Sequence, residues 1–175
     1  MADNRNATED QPINRPDVSF LICTYNIAPF IEEAIQSALA QTNVMVELIV
    51  VDDASSDGTP DIVERMANDD PRIKLHRRHE NGGISVSRNQ AISLATGTWM
   101  AIFDGDDVMP PERSERMIDI ALASGADMVA DNYERVEEDG SPTGSTMIPR
   151  KSTPYTLDVD VATFINSNVM FTPGN

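Results

Sequence analysis

One alternation governs this chain: short apolar runs of strand length, each followed by a polar motif and then by a segment with helical spacing. Residues 18–24 (VSFLICT), 46–51 (VELIVV), 72–76 (RIKLH) and 99–103 (WMAIF) read as strands, and 127–130 as the start of a fifth. Between them Ile31, Ala34, Ile35, Ala38 and Leu39 recur at helical spacing, as do Ile62, Val63, Met66 and Ala67, and again Met117, Ile118, Ala121 and Leu122. Thr59 is placed to cap the second helix, with Pro60 in its first turn. A further helix is expected over 85–95, stopped near Gly97. Strands so continuously apolar must be buried on both faces. The pattern therefore predicts an α/β chain with a mostly parallel sheet and helices on both faces. A hairpin around Asp139-Gly140 is expected over 133–147.

Charge narrows the partners. The formal net charge is −16. Phosphate backbones seek basic surfaces, so nucleic acid is excluded as a non-specific partner. A phosphate-bearing ligand would need an accompanying cation. The single cysteine, Cys23, forbids an intrachain disulfide and fits a reducing compartment. Residues 1–17 read as a loose polar tail carrying Asp3, Glu9 and Asp10, which excludes a standard secretory signal. No stretch is long enough to span a bilayer. A soluble, cytoplasmic protein is expected, with any peripheral membrane association made through regions absent from this chain.

In sheets of this kind ligands gather outside the carboxyl ends of the strands. Four motifs occupy such ends: Thr24-Tyr25-Asn26, Asp52-Asp53, Asn81-Gly82-Gly83 and Asp104-Gly105-Asp106-Asp107. Three crowded aspartates repel one another unless a cation or hydrogen-bond donors compensate. Carboxylate oxygens suit Mg²⁺ or Mn²⁺, which need only one or two of them and complete their shell with water and phosphate. The cluster thus reads as one or two metal ligands plus a carboxylate with another role, and Gly105 would let the backbone bend closely around a ligand. The plain alternative is a solvated acidic loop at a helix N-terminus. Asp53 can accept from a nucleobase N–H or a ribose hydroxyl, while Asp57-Gly58-Thr59 is turn chemistry. Asn81-Gly82-Gly83 either presents N–H groups to an anion or is a simple turn. Arg88 is a cation in an acidic chain, binding a ligand or forming a surface ion pair. His76 and His79 lack metal-ligand companions, and Cys23 reads as a small buried hydrophobe.

Taken together, these four motifs resemble the nucleotide-binding half of family 2 glycosyltransferases, which have the Rossmann-like GT-A fold. The resemblance rests on Thr24-Tyr25-Asn26, on 51–59 (VDDASSDGT), on 81–89 (NGGISVSRN) and on 103–107 (FDGDD), in order, and covers about 18–132. It implies transfer of a sugar from a nucleotide diphosphate sugar, often UDP-linked, to an acceptor hydroxyl with inversion, in exopolysaccharide or cell-envelope glycan synthesis. It implies that Thr24, Tyr25 and Asp53 hold base and ribose, with Asn26, Gly83, Arg88 and Gly105 in the same donor site. Asp104 then approaches ribose or sugar, and Asp106 and Asp107 face Mg²⁺ or Mn²⁺. The acceptor would be a glycan or a lipid-linked glycan, met at the inner face of a membrane.

The family's general base lies beyond the aspartate motif. It is expected past Asn175, because Glu137-Glu138-Asp139 falls in the expected hairpin turn. The chain is therefore read as a 1–17 tail, an 18–132 donor-binding core and an incomplete 133–175 region, binding donor with very slow turnover at most. Three other readings compete. A dinucleotide oxidoreductase needs G-x-G-x-x-G after the first strand, where this chain has Thr24 to Pro29 without glycine. A receiver domain needs an aspartate after the third strand and a lysine after the fifth, where this chain has Arg77-Arg78 and Asp131-Asn132-Tyr133. A non-catalytic donor-binding module shares every motif.

Overall fold

The apolar runs at 18–24 and 46–52 become strands buried on both faces, whereas Met100 and Ile102 of the 99–102 run are 58% and 55% exposed, so that strand leaves one apolar face uncovered, contrary to the sequence expectation. The computed structural model describes residues 15–137 and 140–146. Two compact units are found, Met1–Gly125 and Ala126–Asn175. The expected 18–132 core crosses that division, and the expected 133–175 region falls within the second unit.

In the first unit the elements are β1 (Val18–Thr24), α1 (Ile31–Leu39), β2 (Val46–Asp52), α2 (Thr59–Asp69), β3 (Ile73–Arg77), α3 (Ile84–Leu94), β4 (Trp99–Ile102) and α4 (Arg113–Ser124). The sheet order is β3-β2-β1-β4, with every pairing parallel. Alternate residues of the two central strands enter two cores. Phe20, Ile22, Leu48 and Val50 pack with Ile31, Ile35, Ala38, Val63 and Met66 from α1 and α2. Leu21, Ile49 and Val51 pack with Ala91 of α3. Helices therefore cover both faces, as the uninterrupted apolar strands require. Phe20 and Phe103 meet edge to face at 5.9 Å.

Four further expectations need correction. No strand forms over 127–130. Asp127 and Met128 are exposed there, and so short a run buries too little to hold a strand. Thr59 does not cap α2; Gly58 holds that position without a side-chain bond. The fully buried Thr59 hydroxyl instead accepts from Ile27 N–H at 2.9 Å. The end of the expected tail is pinned: Arg15 donates to the Thr96 and Gly97 carbonyls at 2.6 and 2.8 Å, and Thr98 N–H donates to Pro16 O at 3.0 Å. Residues 1–14 lie outside the described residues. Finally, β3 and α3 each sit one residue from their expected bounds, the ordinary scatter of element ends. In the second unit β5 (Glu134–Val136) pairs antiparallel with β6 (Pro142–Thr146), the expected hairpin. Gly140 at φ 79° turns it; Glu138, Asp139 and Met147 lie outside the described residues.

At the amino ends of the strands, away from the motifs, Glu47 is buried with its side chain 3% exposed. Its Oε1 accepts from Ser19 Oγ and from the N–H and hydroxyl of Thr96, and its Oε2 pairs with Lys74 Nζ at 2.6 Å. Burial alone would raise this carboxyl, but Lys74, Ser19 and Thr96 outweigh it and hold it at about 2, below its ordinary 4.5. A carboxyl depressed by folding stabilises the fold fully above its unfolded value and loses that contribution as pH falls toward the folded one. Between pH 4.5 and 2 the protein should therefore lose roughly 3 kcal/mol through Glu47. Melting followed across that window should show a steeper acid loss for the unaltered chain than for Glu47→Gln; parallel curves would assign the loss elsewhere.

Candidate functional site

Parallel register carries the strand-end motifs to one edge. Thr24 lies opposite Asp52, and Asp52 opposite Arg77. On the other side of β1, Phe103 N–H donates to Leu21 O at 3.2 Å, so the aspartate motif leaves the sheet beside the same strand end. β1 connects outward to β2 on one side and borders β4 on the other. This is a topological switch point, where open parallel sheets form a crevice.

The loops are then tied to one another in sequence. Asn26, at φ 54°, accepts from Ser56 N–H at 2.9 Å through its side chain and donates its own N–H to Ser55 Oγ at 3.0 Å. Ala28 N–H reaches Asp57 Oδ2 at 3.1 Å, and Thr59 N–H reaches Asp57 Oδ1 at 2.9 Å. Burial raises the Asp57 carboxyl, but the bonds from Thr59 and Ala28 bring it below its usual value. The third loop joins the second through Asp53: Oδ1 accepts from Gly82 N–H at 3.0 Å and Oδ2 from Gly83 N–H at 2.8 Å. Gly83 adopts φ 83°, a conformation glycine reaches without strain. The fourth loop joins the third where Arg88 of α3 faces Asp104 at 3.6 Å.

Several side chains differ in orientation from the sequence expectation. Thr24 is buried and donates its hydroxyl to Asp52 Oδ1 at 3.0 Å, so this side chain props a neighbouring loop. Asp53 is 4% exposed. Besides the two glycine N–H groups it meets Arg78 Nε at 2.8 Å. Burial would raise its carboxyl, yet the Gly82 and Gly83 donors, the adjacent Ser87 hydroxyl and Arg78 together hold it low. Ser87 Oγ falls short of hydrogen-bond geometry with any partner among the described residues, so the backbone donors dominate. The anion received by the Asn81–Gly83 turn is thus the protein's own Asp53. Gly105 is buried, and a Cβ there would lie 2.6 Å from Ile27 Cδ1 and 3.1 Å from Ile31 Cδ1. Its smallness lets the aspartate loop press onto the core.

What faces outward is Tyr25 at 52% exposure, Asp104 with a side chain 64% exposed, Asp106 and Asp107. Partial desolvation, then Asp106 and Asp104, raise the Asp107 carboxyl, with Arg113 acting in the opposite sense. That mutual repulsion is what a divalent cation relieves. Among the described residues no three metal-ligating side chains converge on one point. The donor set fits a Mg²⁺ or Mn²⁺ ion held by one or two carboxylates and a ligand's phosphates, and it does not fit a closed protein cage. Arg88 adds a second open valence: its Nε is buried and has no acceptor among the described residues. Burial raises the Cys23 thiol near the end of β1, with Arg88 lowering it and Asp104 and Asp53 raising it again. A raised thiol is a poor nucleophile. Arg78 escaped the sequence reading because nothing in the Arg77-Arg78 pair tells which one turns back toward Asp53.

A switch point in an all-parallel sheet, with outward aspartates and Arg88 beside it, defines an α/β domain of the doubly wound type. The model for glycosyl transferase family 2 matches residues 19–172, and the chain belongs to that family. It is 42% identical over 89% of its length to succinoglycan biosynthesis protein ExoO of Rhizobium meliloti (strain 1021), covering 44% of that protein. It is 33% identical over 73% of its length to TuaG of Bacillus subtilis (strain 168), a glycosyltransferase named for teichuronic acid biosynthesis, covering 51% of it. The chain therefore spans about half the length of the curated relatives it matches. Among solved structures, S. aureus TarS 1-349 in complex with UDP superposes with a TM-score of 0.56 at 29% identity, over 61% of this chain and 32% of that one. The mannosyltransferase PcManGT from Pyrobaculum calidifontis, in complex with GDP-Man and Mn²⁺, gives 0.55 at 32% identity, over 73% and 37%. The α/β fold is that of GT-A glycosyltransferases.

Proposed function

We propose that this chain is the donor-binding part of a glycosyltransferase. It moves a sugar from a nucleotide diphosphate sugar, UDP-linked by preference, to a hydroxyl of a glycan or lipid-linked acceptor, with inversion, in exopolysaccharide or cell-envelope glycan synthesis. The observation that carries this reading is the Arg88–Asp104 juxtaposition at the switch point, with Asp106 and Asp107 immediately outside it. The UDP bound to TarS, the GDP-Man and Mn²⁺ bound to PcManGT, and the succinoglycan biosynthesis for which ExoO is named support it. A cytoplasmic location at the inner face of a membrane goes with this reading.

The exposed Tyr25 offers a ring on which a base can stack. Asp104 accepts from a ribose or sugar hydroxyl. Arg88 supplies its free Nε–H to an acceptor atom of the donor, and its charge offsets part of the diphosphate. Asp53, closed onto Gly82 and Gly83, shapes the wall behind the base and leaves its backbone carbonyl, which also accepts from Asn81, at the rim. Asp106 and Asp107 would hold Mg²⁺ or Mn²⁺, which when bound supplies Lewis-acid stabilisation of the departing diphosphate. None of these side chains is assigned as the base for the acceptor.

Thermal melting with UDP, GDP and NAD, each with and without Mn²⁺, tests the reading. UDP with Mn²⁺ should raise the melting temperature by roughly 5–10 °C at a hundredfold excess over its dissociation constant. A larger response to NAD than to UDP would overturn the donor class.

A further inference from the structure

We propose that Gln41 is a positioning residue for the aspartate loop, setting where Asp106 and Asp107 stand. This rests on the metal-assisted reading above. The loop has little structure of its own: within 104–108 a single backbone bond is found, from Asp107 N–H to Asp104 O at 3.2 Å. Three carboxylates of like charge in four residues drive it apart. Its position must come from its two ends. The upstream end is fixed by Phe103 on β1 and by Gly105 against Ile22, Ile27 and Ile31.

Gln41 fixes the downstream end. It lies two residues past the end of α1 and is 8% exposed. Its Nε2 donates to Pro110 O at 2.9 Å and to Ser37 O at 3.2 Å. Its Oε1 accepts from Ser114 N–H at 2.9 Å and from Ser114 Oγ at 2.7 Å. The first turn of a helix leaves N–H groups without intrahelical partners. α4 has no side-chain cap of its own, since Glu112 at the cap position makes none. Gln41 therefore caps α4 from just beyond the end of α1, and the same amide grips the chain three residues after Asp107. Ser37 and Thr42 reinforce it, through Met109 N–H to Ser37 Oγ at 3.3 Å and Thr42 N–H to Pro111 O at 2.9 Å. Of these partners only Gln41 joins loop, helix start and α1 through one buried group.

Residues that orient metal ligands typically govern metal affinity by 10- to 100-fold when removed. The test is calorimetric titration of Mn²⁺ into the 175-residue chain saturated with UDP, well below melting. Gln41→Met keeps the volume and removes all four bonds; it should raise the Mn²⁺ dissociation constant about tenfold while leaving UDP affinity in EDTA within about twofold. Ser114→Ala should move the constant in the same direction by less. Asn43→Ala loosens the same helix through its exposed contacts to Glu115 and should leave the constant unchanged. An unshifted constant in Gln41→Met would overturn the proposal, and so would an equal shift in Asn43→Ala. Should Gln41→Met fail to fold, an unshifted constant in Ser114→Ala overturns it. No Mn²⁺ binding by the unaltered chain in the presence of UDP would overturn the metal-assisted reading and this proposal with it, an outcome distinct from the variant results.

Discussion

Asp106→Ala should abolish the part of the UDP-induced rise in melting temperature that depends on Mn²⁺. Without a cation, a pyrophosphate meets a rim of outward carboxylates on a chain of net charge −16, and Coulomb repulsion opposes binding. In the proposed reading, Mg²⁺ or Mn²⁺ held by Asp106 and Asp107 would neutralise both sets of anions at once. The exposed Asp106 makes no described bond that the fold needs, so its removal should change the melting temperature of the free chain by less than about 2 °C. The roughly 5–10 °C rise expected with UDP and Mn²⁺ should fall to the metal-free value. A full UDP effect in EDTA, or an undiminished one in Asp106→Ala, would remove the metal from the account.

Asp53→Ala should do something different: unfold the site from within. The carboxylate is the common acceptor for Gly82 N–H, Gly83 N–H and Arg78 Nε, and it is nearly buried. Removing it strands two backbone donors and a guanidinium whose side chain is 18% exposed. Leaving buried donors unpaired costs about 1–3 kcal/mol per group, and breaking a buried ion pair from one side about 3–5 kcal/mol in total. A loss of roughly 3 kcal/mol is expected, about 6–12 °C in a chain of this size. Nucleotide affinity should fall too, because the Asn81–Gly83 turn starts the helix that carries Arg88. From sequence, Asp53→Ala is expected to weaken nucleotide binding with the fold intact. Its burial changes that expectation. Unchanged melting together with weakened UDP binding would return Asp53 to a direct ligand role; unchanged values of both would reduce it to a turn residue.

The difference between these two aspartates shows what could be read from the sequence. Both follow an apolar strand, and strand-end position was enough to bring Asp53 and Asp106 to one edge of one sheet. It did not tell which way either side chain turns. Asp53 turns inward because Gly82 and Gly83 offer two N–H groups within reach, brought there by the crossover from β2 through β3. Thr24 and Gly105 behave alike: Thr24 serves Asp52, and Gly105 serves the packing of Ile27 and Ile31. The strand missing over 127–130 is the complementary case, where local propensity existed without enough apolar surface to bury.

The residue pattern by itself determined β1 to β4, the four helices between and after them, the parallel pairing and the edge to which the strand-end motifs run. Period-two and helical spacing are local properties, and short crossovers between parallel strands leave few arrangements. Only the tertiary structure decided the partners of individual polar side chains: Asp53 with Gly82, Gly83 and Arg78, and Gln41 with Pro110 and Ser114. Those contacts join residues 25 to 73 positions apart. A hydrogen bond is directional over about 3 Å, and no spacing along the chain encodes so exact a meeting.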